Sequence, residues 1–143
     1  MLSQKEMLVL GHLRVNSRES VARMSRETGI PPATIFEIIY RLRKRKVIQR
    51  HVVLIDYAKL GFNLRSHIVI KCKDKAGLAE FLMKNNSVNG LYRVADSYDF
   101  LLEVILRNLA DYEQFKEQLV GFGIEKMTEH FVIEEIKKEG AFS

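Results

Sequence analysis

Apolar residues in the first thirty positions recur every three or four residues, which is the spacing of a helix face that packs on a core. Ser3, followed three positions later by Glu6, is a capping box and predicts the start of a first helix. Ser20 predicts the start of a second helix, and Gly29 follows its end, where glycine adopts a left-handed conformation at little cost. The predicted inward positions of these two helices are Met7, Leu10, Leu13, Val21 and Met24.

A third helix is predicted over residues 33–46, because the prolines at 31 and 32 suit a first helical turn, whose N–H groups have no helical partner. Ile35, Ile39 and Leu42 recur at helical spacing and form its predicted buried stripe. A short helix, a glycine turn and a proline-started helix in this order are typical of a helix-turn-helix. The positions away from the stripe are mostly polar or basic: Thr34, Glu37, Arg41 and Lys44, with Arg43, Arg45 and Lys46 at the helix end.

Residues 47–55 are rich in β-branched side chains, which predicts one or two strands. A wing or a connecting strand would begin near Arg50. The glycine-containing segment 56–63 predicts a turn and a linker. We therefore expect a winged helix-turn-helix domain over residues 1–50, followed by a linker strand and turn over residues 51–64.

From residue 65 onward, alternating and helical hydrophobic patterns follow one another. The predicted order is strand, helix, strand, strand, helix, strand, at residues 66–73, 77–85, 91–94, 100–106, 109–122 and 128–136. This order is that of a ferredoxin-like βαββαβ domain, in which an antiparallel sheet carries both helices on one face. We therefore expect an α+β protein whose second domain covers residues 65–143.

The sheet face opposite the two predicted helices has no covering element within the chain. Its predicted apolar residues are Val69, Leu101, Ile105, Val132 and Ile136. A second copy, related by a two-fold axis, would bury such a face most simply. The sequence therefore predicts a homodimer, and two DNA-reading heads on one dimer suit a pseudo-palindromic site.

The composition is typical of a folded protein without a membrane segment. Hydrophobic residues make up 47% of the chain, but each apolar run is only a few residues long, far short of a membrane span. No signal-peptide pattern opens the chain, and we expect a cytoplasmic protein. Cys72 is the single cysteine and the histidines are scattered, so no metal site and no cofactor are expected.

The net charge of +5 is unevenly distributed, since Lys and Arg far outnumber Glu in the first fifty residues, where no Asp occurs. A basic helix of the predicted kind fits the major groove of double-stranded DNA, with its first residues nearest the base edges and its basic end near phosphates. The alternative is an ordinary solvent-exposed charged face. The candidate DNA-binding residues are Ala33, Thr34, Glu37, Arg41, Arg43, Lys44 and Arg45.

Several segments, in their order and spacing, resemble the Lrp/AsnC family of bacterial and archaeal regulators over nearly the whole chain. They are residues 29–35 and 41–48 around the third helix, 55–61 in the linker and 96–102 before a predicted strand. The resemblance implies a sequence-specific DNA-binding transcription regulator that is not an enzyme. It also implies C-terminal domains that form a homodimer, dimers that join into an octamer of four dimers, and an amino-acid effector bound between dimers.

The chain departs from the family pattern at several positions. Pro31 replaces a usual serine, so the side-chain cap of the third helix is lost, and Glu37 lies where the family often has a polar donor. A glutamate there can accept a hydrogen bond from cytosine N4. Asp96 replaces a glycine, which would tolerate a positive φ better. Met127 and Glu129 replace two threonines of the last strand, unless the register slips by one residue.

The resemblance implies an effector site formed by the loop before the third sheet strand and by the start of the last strand. A carboxylate at Asp96, Asp99 or Glu129 can hold the α-ammonium group of an amino acid through a charge-assisted hydrogen bond. In the alternative interpretation, this loop is a structural turn and no ligand binds. The candidate effector residues are Asp96, Tyr98, Asp99, Thr128, Glu129 and His130.

Two other functions remain open from the sequence. Siroheme decarboxylases resemble the same family, so the fold does not exclude catalysis. A tetrapyrrole pocket would need histidine and arginine, but His67 and His130 lie in predicted strands without a recognisable partner, and the chain has no tryptophan. The second possibility is an architectural DNA-binding protein without an effector, which the altered effector loop and Glu37 favour.

Overall fold

The computed structural model describes residues 1–140, which form two compact units: Met1–Leu54 with the residues from Ile136 on, and Ile55–Glu135. The protein is α+β, and its helices are α1 (Gln4–Val15), α2 (Val21–Thr28), α3 (Pro32–Lys44), α4 (Lys75–Lys84) and α5 (Leu109–Glu117). The strands are β1 (Leu64–Cys72), β2 (Val88–Arg93), β3 (Phe100–Leu106) and β4 (Ile124–Phe131), with 3₁₀ turns at Tyr57–Leu60 and Val120–Phe122. Within residues 1–140, each helix is too short or too polar to cross a membrane.

The predicted caps of α1 and α2 are confirmed. The Ser3 hydroxyl accepts a hydrogen bond from the Glu6 N–H at 3.2 Å, and the Glu6 carboxylate accepts one from the Ser3 N–H at 3.0 Å. The Ser20 hydroxyl accepts from the Arg23 N–H at 3.1 Å. Gly29 ends α2 with a φ of +74°, which is the left-handed conformation that glycine adopts most easily. These caps fix where α1 and α2 begin and where α2 ends.

Helix α3 ends in a Schellman motif, two residues before the predicted end. Lys46 has a φ of +62°, and its N–H donates to the Arg43 carbonyl at 3.1 Å. The Val47 N–H donates to the Leu42 carbonyl at 3.0 Å. These two bonds satisfy carbonyl groups that the helix end leaves without helical donors. The left-handed residue turns the chain away from the helix axis and stops α3 at Lys44.

The core of the N-terminal unit lies between the three helices. Its buried side chains are Val9, Leu13, Met24, Ile30, Ile35, Ile38 and Leu42. One predicted inward position, Met7, is wrong, while Ile39 is partly buried and packs against the core. Met7 is 39% exposed while Val9 is fully buried, and α3 buries Ile38 more completely than Ile39. Apolar residues flank the true stripe in both helices, so spacing alone does not determine which of two neighbouring residues faces the core.

The strands predicted at residues 47–55 are wrong. Between α3 and β1, a stretch that lies wholly within the described residues, the structure contains no strand. The side chains of Val52, Val53 and Leu54 are 60%, 75% and 62% exposed. The β-branched residues Val52 and Val53 favour extended backbone, but a strand also needs a neighbour that completes its hydrogen bonds. The single copy provides no such neighbour here, so the predicted wing does not form in it.

In the C-terminal unit, the predicted βαββαβ order is confirmed. The sheet has the order β2-β3-β1-β4 and is antiparallel throughout. The last strand lies earlier than the predicted 128–136, because Gly123, with a φ of +70°, turns the chain directly into Ile124. Ile136 therefore lies outside the sheet and is 88% exposed, which corrects its predicted place on the open face.

One sheet face packs on α4 and α5 through the core residues Ile68, Ile70, Leu78, Leu82, Phe100, Leu102, Val104, Tyr112 and Phe115. The opposite face carries Val69, Leu101 and Ile105, as predicted, but its centre is polar. Glu103 is 5% exposed on this face. Its carboxylate accepts hydrogen bonds from Arg65 at 3.0 Å and Asn89 at 2.7 Å, and His67 Nε2 lies 3.1 Å from it.

Candidate functional site

The predicted DNA-binding residues lie on one solvent-facing surface of α3. Ala33, Glu37, Arg41, Arg43, Lys44 and Arg45 are exposed, and Thr34 is half-buried. The surface follows from the buried stripe, because Ile35, Ile38 and Leu42 hold the opposite side of the helix in the core. Thirteen residues give α3 a length of about 20 Å at 1.5 Å per residue.

The basic end of α3 is held in place by α1. Arg45 Nη1 lies 3.0 Å from Glu6 Oε2 in an ion pair. Hydrogen bonds from Ser3 hold the pKa of the Glu6 carboxyl below its ordinary value, and Arg45 and Arg41 lower this pKa further. Glu6 therefore keeps its charge and its partner near neutral pH. Of the predicted phosphate-binding residues, Arg45 is thus already paired, whereas Arg41, Arg43 and Lys44 point their charge to solvent from an exposed face.

Two aromatic residues on the same surface were not among the predicted contacts. Phe36 and Tyr40 are each 63% exposed, one helical turn apart. Lys44 Nζ lies 5.9 Å from the centroid of the Tyr40 ring, within the range of a cation–π contact. Their positions outside the stripe that contains Ile35 and Leu42 could have indicated this exposure, because neither residue shares the spacing of the stripe.

Asp96 and Tyr98 lie in the loop between β2 and β3, where the resemblance indicates an effector site. Asp96 is exposed and has a φ of +72°, which an aspartate adopts at some energetic cost. The Tyr98 hydroxyl lies 2.8 Å from the Thr128 hydroxyl of β4, and Lys126 Nζ lies 4.8 Å from the centroid of the Tyr98 ring. The hydrogen bond to Thr128 lowers the pKa of Tyr98 below its ordinary value, and the charge of Lys126 lowers it further.

Asp99 connects the loop to β1. Its Oδ2 accepts a hydrogen bond from the Cys72 N–H at 2.9 Å, and its Oδ1 lies 3.9 Å from Lys75 Nζ. The backbone N–H of Asp99 donates to the Ile70 carbonyl at 2.8 Å. These contacts are what the structural-turn interpretation expects of this residue. They leave less of the Asp99 carboxylate available for a ligand.

The predicted effector residues of β4 lie on different sheet faces. Thr128 and His130 share the face opposite the helices, and His130 lies opposite His67 of the neighbouring strand β1. Glu129 lies on the helix face, where its Oε1 accepts a 2.6 Å hydrogen bond from the Tyr112 hydroxyl and lies 3.1 Å from Lys116 Nζ. The structure therefore brings Tyr98 and Thr128 together and places Glu129 elsewhere. Lys126, on the Thr128 face, was missed by the sequence analysis.

Within residues 1–140, one group of side chains has the spacing of metal ligands. His12 Nδ1 lies 3.0 Å from Glu19 and 3.6 Å from Glu27. Arg23 Nε already lies 3.1 Å from Glu27 and 3.7 Å from Glu19. The guanidinium supplies the positive charge that the two carboxylates need. This arrangement is a salt-bridge network that connects α1 with α2.

The sequence and the fold of this chain are both similar to those of known proteins. The Lrp/AsnC ligand binding domain family matches residues 64–142. An HTH-type transcriptional regulator of Pyrococcus abyssi, itself described as uncharacterized, is 26% identical over 142 residues, which cover 97% of each chain. The structure of Bacillus subtilis LrpC is similar with a TM-score of 0.87 at 19% identity, covering 96% of this chain and 98% of that one.

A transcriptional regulator of Neisseria meningitidis, solved as a complex with L-Met, has a TM-score of 0.90 at 18% identity. The match covers 100% of this chain and 97% of the other. At these identities, the two solved structures show that the fold is shared. The family match covers more than half of the 143 residues and includes the whole βαββαβ sheet. The chain belongs to the Lrp/AsnC family.

Proposed function

We propose that this chain is a sequence-specific DNA-binding transcription regulator, in which α2 and α3 form a helix-turn-helix. The observation that carries the proposal is the surface of α3, which is exposed along its length and basic at its end. The names of the relatives as HTH-type transcriptional regulators support it. The proposal covers the helix-turn-helix and does not include a wing.

In this proposal, residues near the start of α3 read base edges and residues near its end bind phosphates. Ala33, Thr34 and Glu37 lie in the first two turns, where helices that enter the major groove contact bases. Arg41, Arg43 and Lys44 supply the phosphate contacts, with Arg45 orienting the helix end through Glu6. Because phosphate binding releases counterions, affinity falls steeply with salt.

The test is the double variant Arg41→Ala/Lys44→Ala, assayed by fluorescence anisotropy on a duplex selected from a random pool. Loss of two phosphate contacts lowers affinity by at least about tenfold and reduces the slope of log K against log salt by about two. The control, Lys73→Ala/Lys84→Ala, removes the same charge from exposed positions of the C-terminal unit. Equal binding by both variants and the unmodified chain would show that α3 does not bind DNA.

We further propose that the functional form is a homodimer, with an octamer of four dimers as the larger assembly. The open sheet face, with Val69, Leu101 and Ile105, is the proposed pairing surface. The exposed apolar segment 52–55 supports assembly, because a second copy can complete its backbone hydrogen bonds. Two helix-turn-helix units on one dimer would read two half-sites about one helical turn of DNA apart, or a multiple of it.

We also propose that an amino acid binds beside the loop between β2 and β3. Asp96, Tyr98, Thr128 and His130 are the candidate contacts, and Lys126 adds a cation near Tyr98 for the ligand's α-carboxylate. The neisserial relative solved with L-Met supports an amino acid as the ligand class. Asp99 and Glu129 are assigned to holding the fold, given their contacts with Cys72 and Tyr112.

Calorimetric titration of the protein with each amino acid, L-Met first, tests the effector proposal. Binding by the unmodified chain and a loss of at least about tenfold in Lys126→Ala are expected, since one charge-assisted contact is removed. Lys138→Ala, a change of an exposed lysine near the C-terminus, is the control. Absence of heat with all twenty amino acids would contradict the proposal.

An architectural DNA-binding protein without effector is the second candidate, favoured by the contacts that engage Asp99 and Glu129 within the fold. The ratio of affinities for selected and random duplexes separates the two functions. A selected duplex bound at least about a thousandfold more tightly supports a regulator. Similar affinities for selected and random duplexes, with the same dependence of log K on log salt, support the architectural role. The names of the relatives favour a regulator over a siroheme decarboxylase. Formation of decarboxylated product from siroheme by the purified protein would contradict the regulator proposal.

A further inference from the structure

Helix α3 exposes two large apolar side chains at the centre of a basic surface. Phe36 and Tyr40 each leave 63% of their area in solvent, although the helix buries Ile35, Ile38 and Leu42 almost completely. Exposed aromatic pairs on a short helix indicate a contact that the single copy does not contain. The surrounding charges identify the kind of partner.

The flanking residues favour a polyanion over a protein surface. Arg41, Arg43 and Lys44 lie on both sides of the aromatic pair and are exposed. A second copy of the same helix would bring these cations together, and the repulsion would oppose that contact. Double-stranded DNA satisfies the cations and also presents one apolar group in its major groove, the 5-methyl group of thymine.

The spacing of the two rings matches base pairs about two steps apart. Residues four apart on a helix are about 6 Å apart along its axis. Bases of one DNA strand follow each other at about 3.4 Å, so the pair spans roughly two steps. Ala33, one turn before Phe36 and Glu37, continues the apolar strip towards the helix start. Alanine and phenylalanine are both side chains that contact thymine methyl groups in complexes with DNA.

We propose that Phe36 and Tyr40 form a nonpolar reading strip that recognises the 5-methyl groups of thymines about two base steps apart in each half-site. This inference rests on the proposed DNA-binding function of α3 and adds the base that it selects. The strip distinguishes thymine from uracil, which pairs with adenine in the same way and lacks only the methyl group. Part of the sequence preference then depends on nonpolar contacts of Phe36 and Tyr40, in addition to the base-edge contacts proposed for the start of α3.

The experiment begins with selection of bound duplexes from a random pool by the full-length protein. Each thymine of the selected half-site is then replaced singly by deoxyuridine, and affinity is measured by anisotropy at fixed salt. At the contacted positions, loss of one buried methyl group lowers affinity about fourfold. At other thymines, deoxyuridine leaves affinity unchanged.

Variants assign each methyl group to a ring. Phe36→Ala and Tyr40→Ala bind the thymine duplex more weakly, and each is insensitive to deoxyuridine at its own position. Phe36→Leu and Tyr40→Phe retain an apolar contact and keep the deoxyuridine effect. Val15→Ala, at an exposed apolar residue of α1, is the matched control and changes neither property. Because both rings are exposed, the variants are expected to fold, and circular dichroism verifies this.

The outcomes separate this inference from the function on which it rests. Failure to select any preferred sequence overturns the proposed function itself. A selected sequence that tolerates deoxyuridine at every thymine overturns the reading strip and leaves DNA binding intact. Loss of oligomer in Phe36→Ala, with an unchanged deoxyuridine effect, assigns the rings to a protein contact and also overturns the inference. The inference is supported if each alanine variant loses the effect of deoxyuridine at its own position and the two positions lie about two base steps apart.

Discussion

The hydroxyl of Tyr112 lies within a buried hydrogen-bond chain in the C-terminal unit. The ring is 1% exposed, and its hydroxyl donates to Glu129 at 2.6 Å and lies 3.2 Å from the Ser66 hydroxyl. Lys116 balances the carboxylate at 3.1 Å. A core position of α5 thus carries a polar group whose partners come from two different strands, which aligns the helix with β1 and β4.

Tyr112→Phe is expected to lower the free energy of unfolding by about 1–3 kcal/mol at neutral pH, because Glu129 loses a donor in a partly buried place. Burial raises the pKa of Tyr112 above its ordinary value of 10, and Glu129 raises it further. The protonated form is therefore favoured in the folded state. Its stabilising contribution is complete below about pH 10 and is lost as pH rises towards the folded-state pKa. Urea unfolding between pH 7 and 11 measures both effects.

The difference between the two proteins isolates Tyr112 from other groups that titrate in alkali. It is constant at neutral pH and shrinks above about pH 10. Tyr92→Phe, which removes a hydroxyl from a 62% exposed side chain, is the control and leaves stability unchanged. A difference that grows above pH 10 would contradict the assigned direction of the pKa.

Single residues also show what the sequence could not predict. The face that Glu129 occupies depends on the register of β4, which a pattern of alternating residues determines only to within one position. The same uncertainty left two pairs, Met127 with Glu129 and Thr128 with His130, as alternatives for the two threonine positions of the family. The family resemblance placed Asp96 at a glycine position, and its φ of +72° is the conformation that a glycine would adopt more easily.

At the scale of elements, the left-handed backbone at the end of α3 slightly lowers the free energy of unfolding. Lys46 adopts a left-handed conformation that glycine adopts freely, while its charge adds to the basic end of the helix. Lys46→Gly is therefore expected to raise the free energy of unfolding by about 1 kcal/mol. If Lys46 contacts a phosphate, the same change weakens DNA binding and lowers the slope of log K against log salt by about one. Urea unfolding and anisotropy measure the two effects.

Lys46→Ala separates conformation from charge, because it removes the ammonium group and keeps a Cβ atom. It is expected to weaken DNA binding as Lys46→Gly does, with no gain in stability. A gain in stability equal to that of the glycine variant would show that charge repulsion, and not the left-handed backbone, sets the cost at this position.

The starts of α1 and α2 and the end of α2 were predictable because their caps act locally. Ser3, Ser20 and Gly29 each bond or turn within a few residues, so the sequence alone indicates them. Which residues of α1 and α3 face the core depends on partners that are distant in sequence. The absence of a strand at residues 47–55 also depends on such partners. Val9 faces the core because α3 packs there, and no pattern within α1 contains that information.

At the scale of the whole molecule, the proposed dimer depends on the open sheet face. Leu101 lies on this face beside Val69 of β1 and is half-buried in the single copy. Leu101→Asp would place a carboxylate in the contact and is expected to weaken association by at least about a hundredfold. Size-exclusion chromatography with light scattering should then show a monomer where the unmodified chain is a dimer.

The matched control is Leu109→Asp, which makes the same change at a 59% exposed position at the start of α5. It is expected to leave the dimer intact. A persistent dimer in Leu101→Asp, at concentrations where the control is also dimeric, would show that the chain pairs through another surface.

If the proposed assembly covers the exposed apolar segment at residues 52–55, the lifetime of the protein is expected to depend on its abundance. Proteases bind substrates as extended chain, and this segment presents apolar side chains in that form. Assembly that pairs the segment would hide its backbone, so dissociated copies would be cut faster than assembled ones. A cell that dilutes this protein by growth would thereby clear it faster than in proportion to the dilution.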